Sequence, residues 1–396
     1  MKLPNGEIPS QNMRWELFLA FLRLGLTAFG GPAMVAYIRA LAVDKKHWLT
    51  GETFADGVAL CQMVPGATAM QTAAYVGLRA GGLLGALASF VGFGLPAFLF
   101  MLGLSAIYRW STNIALVMAA FHGLQIVVVA LIAHAALNFG KSSIKSWRDG
   151  FLALAAAVFL VCQGSPIMAI LGLAAVALFL YHNTNIPVAA GSAESHYRGR
   201  RLVWFVGISL LTGLVGLIAL RSLDRQLFIL AAEMAKVDIF AFGGGFASIP
   251  LMLHEFVDVR HLIDGKTFMT GIALGQLTPG PIVITATFIG YQIASLSGAV
   301  VATLGIFTPS FLMVIVTVPY FDRLRQSVLF RHALQGVLAS FVGLLLAVAI
   351  NFGVRITWTL PAFLLAVAAF LAMRLRINIL WIVIIGVLLS FLALQF

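Results

Sequence analysis

Two short stretches place a cation before paired glycines in apolar surroundings. "RLGLTAFGGP" covers residues 23–32, and "KVDIFAFGGG" covers residues 236–245. Arg23 and Lys236 each stand six positions before a Phe-Gly-Gly triplet. A cation inside a membrane segment costs about 2.5–3.5 kcal/mol and tends to mark a pathway or a counter-charge. The pair predicts an electropositive pocket for a doubly charged oxyanion. Snorkelling of each side chain to the headgroups is the alternative.

Two Pro-Gly pairs interrupt further apolar runs, in "CQMVPGATAMQT" and "GQLTPGPIVITAT". Proline removes a backbone donor and glycine frees the backbone, so each pair can end one half-helix and begin another. The N-terminus of a half-helix exposes N–H groups and the positive end of a dipole, which suit an anion. The alternative is that these glycines only allow close packing and the prolines only kink the helix.

The candidate pathway residues fall into two matching sets. The first set is Arg23, Phe29, Gly30, Gly31, Pro32, Gln62, Pro65 and Gly66. The second set is Lys236, Asp238, Phe242, Gly243, Gly244, Gln276, Pro279 and Gly280. The glutamines add donors beside the Pro-Gly pairs. Asp238 could carry a proton, but pairing with Lys236 or Arg23 is the expected role.

The two sets belong to an internal repeat. Arg23 and Lys236 are 213 positions apart, as are Pro96 and Pro309, while Gln62 and Gln276 are 214 apart. A register kept over so many positions indicates a duplicated unit. We therefore divide the chain into a polar tail (1–16), a first repeat (17–182), a polar linker with a connecting helix (183–227) and a second repeat (228–396).

Composition sets the class of protein. The chain has 396 residues, of which 61% are hydrophobic and 10% charged, with a mean hydropathy of +1.02. Soluble domains carry about 25% charged residues, so this is an integral membrane protein. The net charge of +11 sits mostly in short loops, which is the positive-inside pattern and not a nucleic-acid surface. The start lacks a cleavage site, so we expect the first helix to be retained.

The pattern of apolar segments predicts an all-α fold with about 13 segments, arranged as two inverted six-segment repeats joined by a linker helix. The segments lie near 17–39, 54–78, 85–108, 117–138, 150–163, 166–181, 202–220, 228–253, 268–295, 298–320, 333–352, 356–372 and 377–395. If all cross with the N-terminus inside, most cationic loops are cytoplasmic and the C-terminus is outside. The loop with Lys45 and Lys46 is the exception, since it would lie outside. The two short segments 150–163 and 166–181 could also be half-spans.

Inverted repeats with interrupted helices are typical of secondary transporters that bind their substrate at the repeat interface. An anion channel and an intramembrane enzyme remain alternatives, although the enzyme would need clustered acid, base or nucleophile residues. "DGKT" at 264–267 lacks the glycine and the strand of a phosphate-binding loop, so we expect no ATP hydrolysis. We expect neither a cofactor nor a metal site.

The run "FLRLGLTAFGGP", the Gln before Pro-Gly in "CQMVPGATAMQTAAYVG" and their second-half counterparts resemble the chromate ion transporter (CHR) family in its long, two-domain form. The resemblance implies chromate export from the bacterial cytoplasm across the inner membrane, chromate resistance, and sulfate as a close mimic. It supports the motif residues above as the site. Two departures occur in the first half: Arg23 replaces the common Lys, and Ala67 follows Pro65-Gly66 where many members have a second proline. Besides the oxyanion, membrane lipids are expected partners and a homodimer is left open.

Overall fold

The computed structural model describes residues 11–29, 33–111, 115–182, 200–375, 377 and 379–393. These residues form α-helices joined by short turns, with no strand among them. The helices before the linker are α1 (Gln11–Thr27), α2 (Ala33–Arg39), α3 (Gly51–Met63), α4 (Thr68–Ser111), α5 (Ala115–Ser143), α6 (Trp147–Val161) and α7 (Pro166–Leu180). The later helices are α8 (Arg200–Leu223), α9 (Arg225–Phe240), α10 (Ser248–Met252), α11 (Gly265–Leu277), α12 (Thr285–Thr317), α13 (Phe321–Gln326), α14 (Val328–Arg355), α15 (Leu360–Arg374) and α16 (Ile379–Ala393).

Among the residues that the structure describes, five helical stretches are long and apolar enough to cross a membrane. They are Thr68–Ser111, Ala120–Ser143, Trp204–Leu223, Ile282–Tyr320 and Val328–Arg355, with mean hydropathies of 1.9 to 2.4. With the composition, these helices establish a multi-pass membrane protein.

Helix α4 contains a sharp reversal at Gly82, where φ is 68° and ψ is −160°. We call the arm before it α4a (68–81) and the arm after it α4b (83–111). The two arms fold back on each other, because a Cβ on Gly77 would lie only 2.2 Å from the Gly85 carbonyl oxygen. Two glycines thus let the backbones touch, as in closely packed membrane helices.

Helix α12 repeats this reversal at Ser295, where φ is 51° and ψ is −139°. Its arms, α12a (285–293) and α12b (296–317), also meet through two glycines. A Cβ on Gly290 would lie 2.2 Å from the Gly298 carbonyl oxygen. Each of these positions is 213 after its partner in α4, so the repeat seen in the sequence is present in the backbone.

The chain from α1 to Lys46 forms a hairpin, which we call hairpin 1 (11–46). Lys46 Nζ lies 2.8 Å from Glu16 Oε1, and the rings of Phe21 and Trp48 stack at 6.3 Å. The start of α1 and the segment that ends at Lys46 therefore lie side by side, at one end of this hairpin. The prediction that 17–39 crosses as a single segment is wrong. The loop with Lys45 and Lys46 lies beside the start of α1, not across the membrane from it.

Helices α3 and α4a form a second hairpin, hairpin 2 (51–81). Tyr75 Oη donates to the Thr53 carbonyl oxygen at 3.2 Å, and Gly57 leaves room for the Tyr75 ring. Helix α3 has 13 residues and so rises about 20 Å, short of an apolar core of about 30 Å. The prediction of a single crossing at 54–78 is also wrong. The polarity pattern located the apolar segment, but hydropathy alone does not show that its middle turns back.

The chain divides into two compact units. The first contains the described residues of Met1–Leu102, Pro187–Gly245 and Thr278–Ser327. The second contains those of Gly103–Ile186, Phe246–Leu277 and Val328–Phe396.

Small residues hold the second unit together. A Cβ on Gly343 of α14 would lie 1.9 Å from the Ala153 carbonyl oxygen of α6. One on Gly336 would lie 2.4 Å from Ala177 Cβ of α7. Such close backbone approach is how membrane helices pack without a hydrophobic driving force between them. The first unit carries both Pro-Gly breaks and is the one that forms the candidate site.

Candidate functional site

The first Pro-Gly pair ends α3 and starts α4. We call Pro65-Gly66 the first break and Pro279-Gly280 the second break. Gly66 has φ +120° and Gly280 has φ +117°, a region that residues with a Cβ rarely adopt. The carbonyl of Pro65 accepts a hydrogen bond of 2.6 Å from Gln71 Nε2, a fully buried side chain. Gln71 is not among the site residues predicted from the sequence, although a glutamine inside an apolar run just after a Pro-Gly pair is a signal for such a role.

Each break is bonded to the other repeat. The Gly66 N–H donates to the Ala241 carbonyl oxygen at 2.8 Å, and the Gly280 N–H donates to the Ala28 carbonyl oxygen at 3.0 Å. Ala28 and Ala241 immediately precede the two Phe-Gly-Gly triplets and are 213 positions apart. The two hydrogen bonds are therefore one contact made twice. They bring each break to the residue that precedes the Phe-Gly-Gly triplet in the sequence of the other repeat.

The longer arms of the two reversed helices, α4b and α12b, make a second reciprocal contact with the breaks. A Cβ on Gly66 would lie 2.0 Å from Ser310 Oγ, and a Cβ on Gly280 would lie 2.6 Å from Ala97 Cβ. Ala97 and Ser310 follow the matched prolines of α4b and α12b. Each break is therefore tightly packed against the opposite long arm at equivalent positions. A side chain larger than hydrogen has no room at either glycine.

The glycine motif of the second repeat lies between two helix N-termini. We call residues 241–245 the glycine loop; Gly243 and Gly244 in it have φ +89° and +98°. A Cβ on Gly244 would lie 3.2 Å from Thr68 Oγ1, at the first residue of α4. One on Gly245 would lie 2.9 Å from Ile282 Cγ2, in the first turn after the second break. Two N-termini with their positive dipole ends thus flank one short, glycine-rich loop, which is favourable for an anion.

The remaining motif residues have different positions. Phe29 and Phe242 are half-buried beside the two carbonyls that accept the reciprocal bonds. Gln62 is exposed on α3, whereas Gln276 is buried near the end of α11 in the second unit. The predicted site residues Gly30, Gly31 and Pro32 lie outside the described residues.

The two candidate cations are not equivalent. Arg23 is exposed on α1, five residues before Ala28. Lys236 occupies the matching position on α9 but forms an ion pair with Glu233, whose side chain is only 9% exposed. Glu233 is not among the site residues predicted from the sequence, although an acid three residues before a lysine on one helix face favours such a pair. The described residues therefore offer Arg23 as the more available positive charge of the two.

Asp238 makes contacts other than those predicted from the sequence. Its carboxylate is 1% exposed and accepts two hydrogen bonds from Ser310, at 2.6 Å from the N–H and 2.7 Å from the hydroxyl. Ser310 Oγ in turn accepts the Ala67 N–H at 3.1 Å. The prediction that Asp238 pairs with Lys236 or Arg23 is therefore wrong. The carboxylate is connected through Ser310 to the first break.

The sequence matches a protein-family model described as "Chromate transporter", in two stretches covering residues 15–179 and 228–391. The chain belongs to the chromate transporter family. Within it, an uncharacterized transporter of Methanocaldococcus jannaschii is 41% identical over 96% of this chain and 94% of its own length. A chromate transport protein of Pseudomonas aeruginosa is 30% identical over 90% of this chain and 85% of its own.

A further relative is named for the same activity. The chromate transport protein of Cupriavidus metallidurans is 29% identical over 90% of this chain and 87% of its own length. No solved structure matches the chain significantly.

Proposed function

We propose that the chain is a secondary transporter that exports chromate, or a similar tetrahedral oxyanion, from the cytoplasm across the bacterial inner membrane and so confers chromate resistance. One observation carries this proposal. The Gly66 and Gly280 N–H groups make reciprocal hydrogen bonds to the residues that precede the opposite glycine motifs. These hydrogen bonds join the interrupted segments of both repeats at a shared centre. Secondary transporters bind their substrates at such a centre between interrupted helices.

The glycine loop is the proposed anion site. Thr68, the first residue of α4, and Ile282, in the turn before α12, flank it. The N-terminus of a helix has backbone N–H groups without an intrahelical partner, and these can bind an anion without side-chain charge. Such donors suit the several oxygens of a tetrahedral oxyanion, because each oxygen can accept hydrogen bonds from a different direction. Arg23 is the cation placed nearest in sequence to the matching motif of the first repeat.

An ion pair supports inverted topology within the first unit. Asp56 of hairpin 2 lies 3.7 Å from Arg325, which follows α12b. Helix α12b begins at the reversal near Ser295 and passes the first break at Ser310, and the chain then continues to Arg325 in α13. The open end of hairpin 2 thus lies at the far end of α12b from Ser295.

Helix α9 approaches the first break from the side opposite to hairpin 2. A Cβ on Gly305 would lie 3.0 Å from the Ala231 carbonyl oxygen, and Ser310 contacts Asp238, so α9 and α12b run parallel. Helix α9 starts at the end of α12b that carries Ser295, whereas the open end of hairpin 2 lies at the other end of α12b. The last residues of α9 and the turn of hairpin 2 therefore meet from opposite sides. This arrangement supports inverted repeats and permits alternate opening of the centre to each side.

The charges of the first unit suggest which side is cytoplasmic. At the end that carries the Asp56–Arg325 pair lie Lys45, Lys46 and Arg79 as well. Under the positive-inside rule this end faces the cytoplasm. The loop with Lys45 and Lys46 then ceases to be an exception, because hairpin 1 returns to the side from which it started.

Energetics allow export without ATP. One charge crossing a potential of about 100 mV is worth about 2.3 kcal/mol, so a dianion leaving a negative-inside cell gains roughly 4.6 kcal/mol. This gain is compatible with uniport, with proton coupling or with exchange against a second anion. Sulfate is the second candidate substrate because it presents the same charge and shape. An anion channel built on the same site is the weaker alternative, since reciprocal packed breaks favour a closed centre.

Uptake of labelled chromate into inside-out membrane vesicles tests the proposal. We expect uptake that depends on the protein, saturates with chromate and is reduced by unlabelled sulfate. Vesicles from cells that make the Pro65→Ala/Gly66→Leu variant are the control, because this change closes the first break while leaving the apolar segments intact. Equal uptake with and without the protein would contradict export, and uptake that rises without saturation would favour a channel.

A further inference from the structure

The two halves of the proposed site differ chemically at three matched positions. Around the first break lie Asp238, Ser310 and Ala67, which form a continuous hydrogen-bonded chain. The positions equivalent to these three are Gly25, Ala97 and Pro281. A glycine, an alanine and a proline can form no such chain, since none has a polar side chain and proline has no N–H. The polar chain is therefore present in one half only.

At the equivalent positions beside the second break, close packing takes the place of the polar chain. A Cβ on Gly25 would lie 2.5 Å from the Phe93 carbonyl oxygen and 3.1 Å from Pro96 Cγ. No carboxylate would fit at Gly25 without moving the backbone of α4b. The second break consequently has an apolar neighbour where the first break has an acid.

We propose that Asp238 makes oxyanion binding at the first break depend on a proton: the anion binds there when the Asp238 carboxyl group is protonated and is repelled when it is charged. This inference rests on the proposed function, because it assumes that the N-terminus at Thr68 receives the anion. Thr68 follows Ala67 directly, and Ala67 is joined to the Asp238 carboxylate through the single oxygen of Ser310.

The charge of Asp238 opposes the binding of an anion at Thr68. Ser310 donates two hydrogen bonds to Asp238, so a negative charge sits beside the segment whose positive dipole end would receive the substrate. A second negative charge at that N-terminus meets repulsion that water screens little, because Asp238 is 1% exposed. Removing the carboxylate charge removes the repulsion while leaving the helix dipole in place.

The elements packed around Asp238 offer few other charged or titratable side chains that could produce the same dependence on pH. Packed against α9 is α12, whose residues 285–317 include no Asp, Glu, Lys, Arg or His and one titratable side chain, Tyr291. Helix α8 also packs on α9, and its charged residues Arg200, Arg201 and Arg221 lie towards its two ends. On α9 itself, Arg225 lies in the first turn, and Glu233 and Lys236 pair with each other.

A proton can be accommodated without breaking the chain. When Oδ1 of Asp238 is protonated, its O–H donates to Ser310 Oγ, which also accepts the Ala67 N–H. The Ser310 hydroxyl proton then turns away from Asp238. The proton comes from water and returns to water when the anion leaves, so the step changes no covalent bond other than the O–H bond.

Sulfate binding by the purified full-length protein, followed by calorimetry between about pH 5.5 and 8, tests the proposal. Sulfate is the probe because it stays a dianion over this range, whereas chromate itself takes up a proton. We expect the affinity to fall as pH rises, by up to about tenfold per pH unit for one linked proton. We also expect proton uptake on binding, seen as a dependence of the heat on the ionisation enthalpy of the buffer.

Two variants make the result specific. Asp238→Asn should keep tight binding and lose its pH dependence, because the amide is neutral at every pH. Glu52→Gln, which removes an exposed acid of α3, should behave as the wild type. If Asp238→Asn fails to fold, proton uptake by the wild type still decides.

The failures are distinguishable. Binding with unchanged affinity across the pH range and no proton uptake would overturn the role of Asp238 and leave the proposed function standing. A pH dependence that persists in Asp238→Asn would do the same. Absence of sulfate and chromate binding at every pH would overturn the proposed function itself and this inference with it.

Discussion

Replacing Gly66 by alanine should impair transport far more than its size suggests. The backbone at Gly66 has φ +120°, which costs a residue with a Cβ about 1–3 kcal/mol. The new Cβ would also lie 2.0 Å from Ser310 Oγ and 2.8 Å from Gln71 Nε2, so both side chains must move. If this free energy falls on the transporting conformation, activity drops roughly 5- to 150-fold.

Two further variants separate backbone strain from crowding. Gly280→Ala meets the same strain at φ +117°, with its Cβ 2.6 Å from Ala97 Cβ. Adding Ala97→Gly removes that contact and keeps the strain, so the double variant should recover part of the loss. Gly207→Ala is the control, because it lies within α8 with no atom within 4 Å of the new Cβ.

The assay is chromate uptake into inside-out vesicles, normalised to the amount of inserted protein. We expect Gly66→Ala and Gly280→Ala to be strongly reduced and Gly207→Ala to match the wild type. If Gly66→Ala and Gly207→Ala transport equally well, the breaks are not part of the transport pathway and the reasoning fails.

Three other predictions concern charge and topology. Arg23→Gln should raise the chromate concentration for half-maximal uptake, and unchanged half-saturation in normalised vesicles would show that Arg23 only snorkels. Lys236→Gln should lower the yield of inserted protein, since it removes the cation that forms an ion pair with the buried Glu233 carboxylate. The double variant with Glu233→Gln should restore the yield measured on immunoblots. In a background without native cysteines, single cysteines that replace Glu52 and Gln326 should both react with an impermeant thiol reagent from the cytoplasmic side. The reason is that the Asp56–Arg325 ion pair holds the segments of these two residues together. Labelling of the two cysteines from opposite sides would contradict the folding of residues 51–81 into a hairpin.

The repeat was the part of the fold that the sequence could reveal. Matched irregularities follow its register closely: His47 and His261 have φ of 51° and 50°, and the reversals at Gly82 and Ser295 are 213 positions apart. These features depend on local backbone chemistry, which a duplicated sequence conserves. The hairpins could not be predicted in the same way. Hydropathy measures how apolar a segment is, and an apolar segment that returns has the same composition as one that crosses.

The candidate site was predictable in its residue types and less so in its contacts. Pro-Gly pairs and glycine triplets indicated breaks because few other residues adopt those backbone angles. Their partners, Ala28 and Ala241, carry no signal, since a backbone carbonyl is present at every residue. The position of Ser310 is polar in one repeat only, because its match in the other repeat is Ala97. Its hydrogen bond to Asp238 spans 72 positions, a separation that no local pattern predicts.

Counterflow in liposomes containing the purified protein tests the central claim most directly. Liposomes loaded with unlabelled chromate are diluted into a trace of labelled chromate, with the membrane potential clamped at zero. A transporter that exposes one oxyanion site alternately to the two sides predicts transient accumulation of label above its external concentration. It also predicts that internal sulfate supports the same overshoot if sulfate shares the site. Label that only equilibrates, without an overshoot, would contradict an alternating carrier and indicate a channel, and no protein-dependent entry would contradict chromate transport altogether.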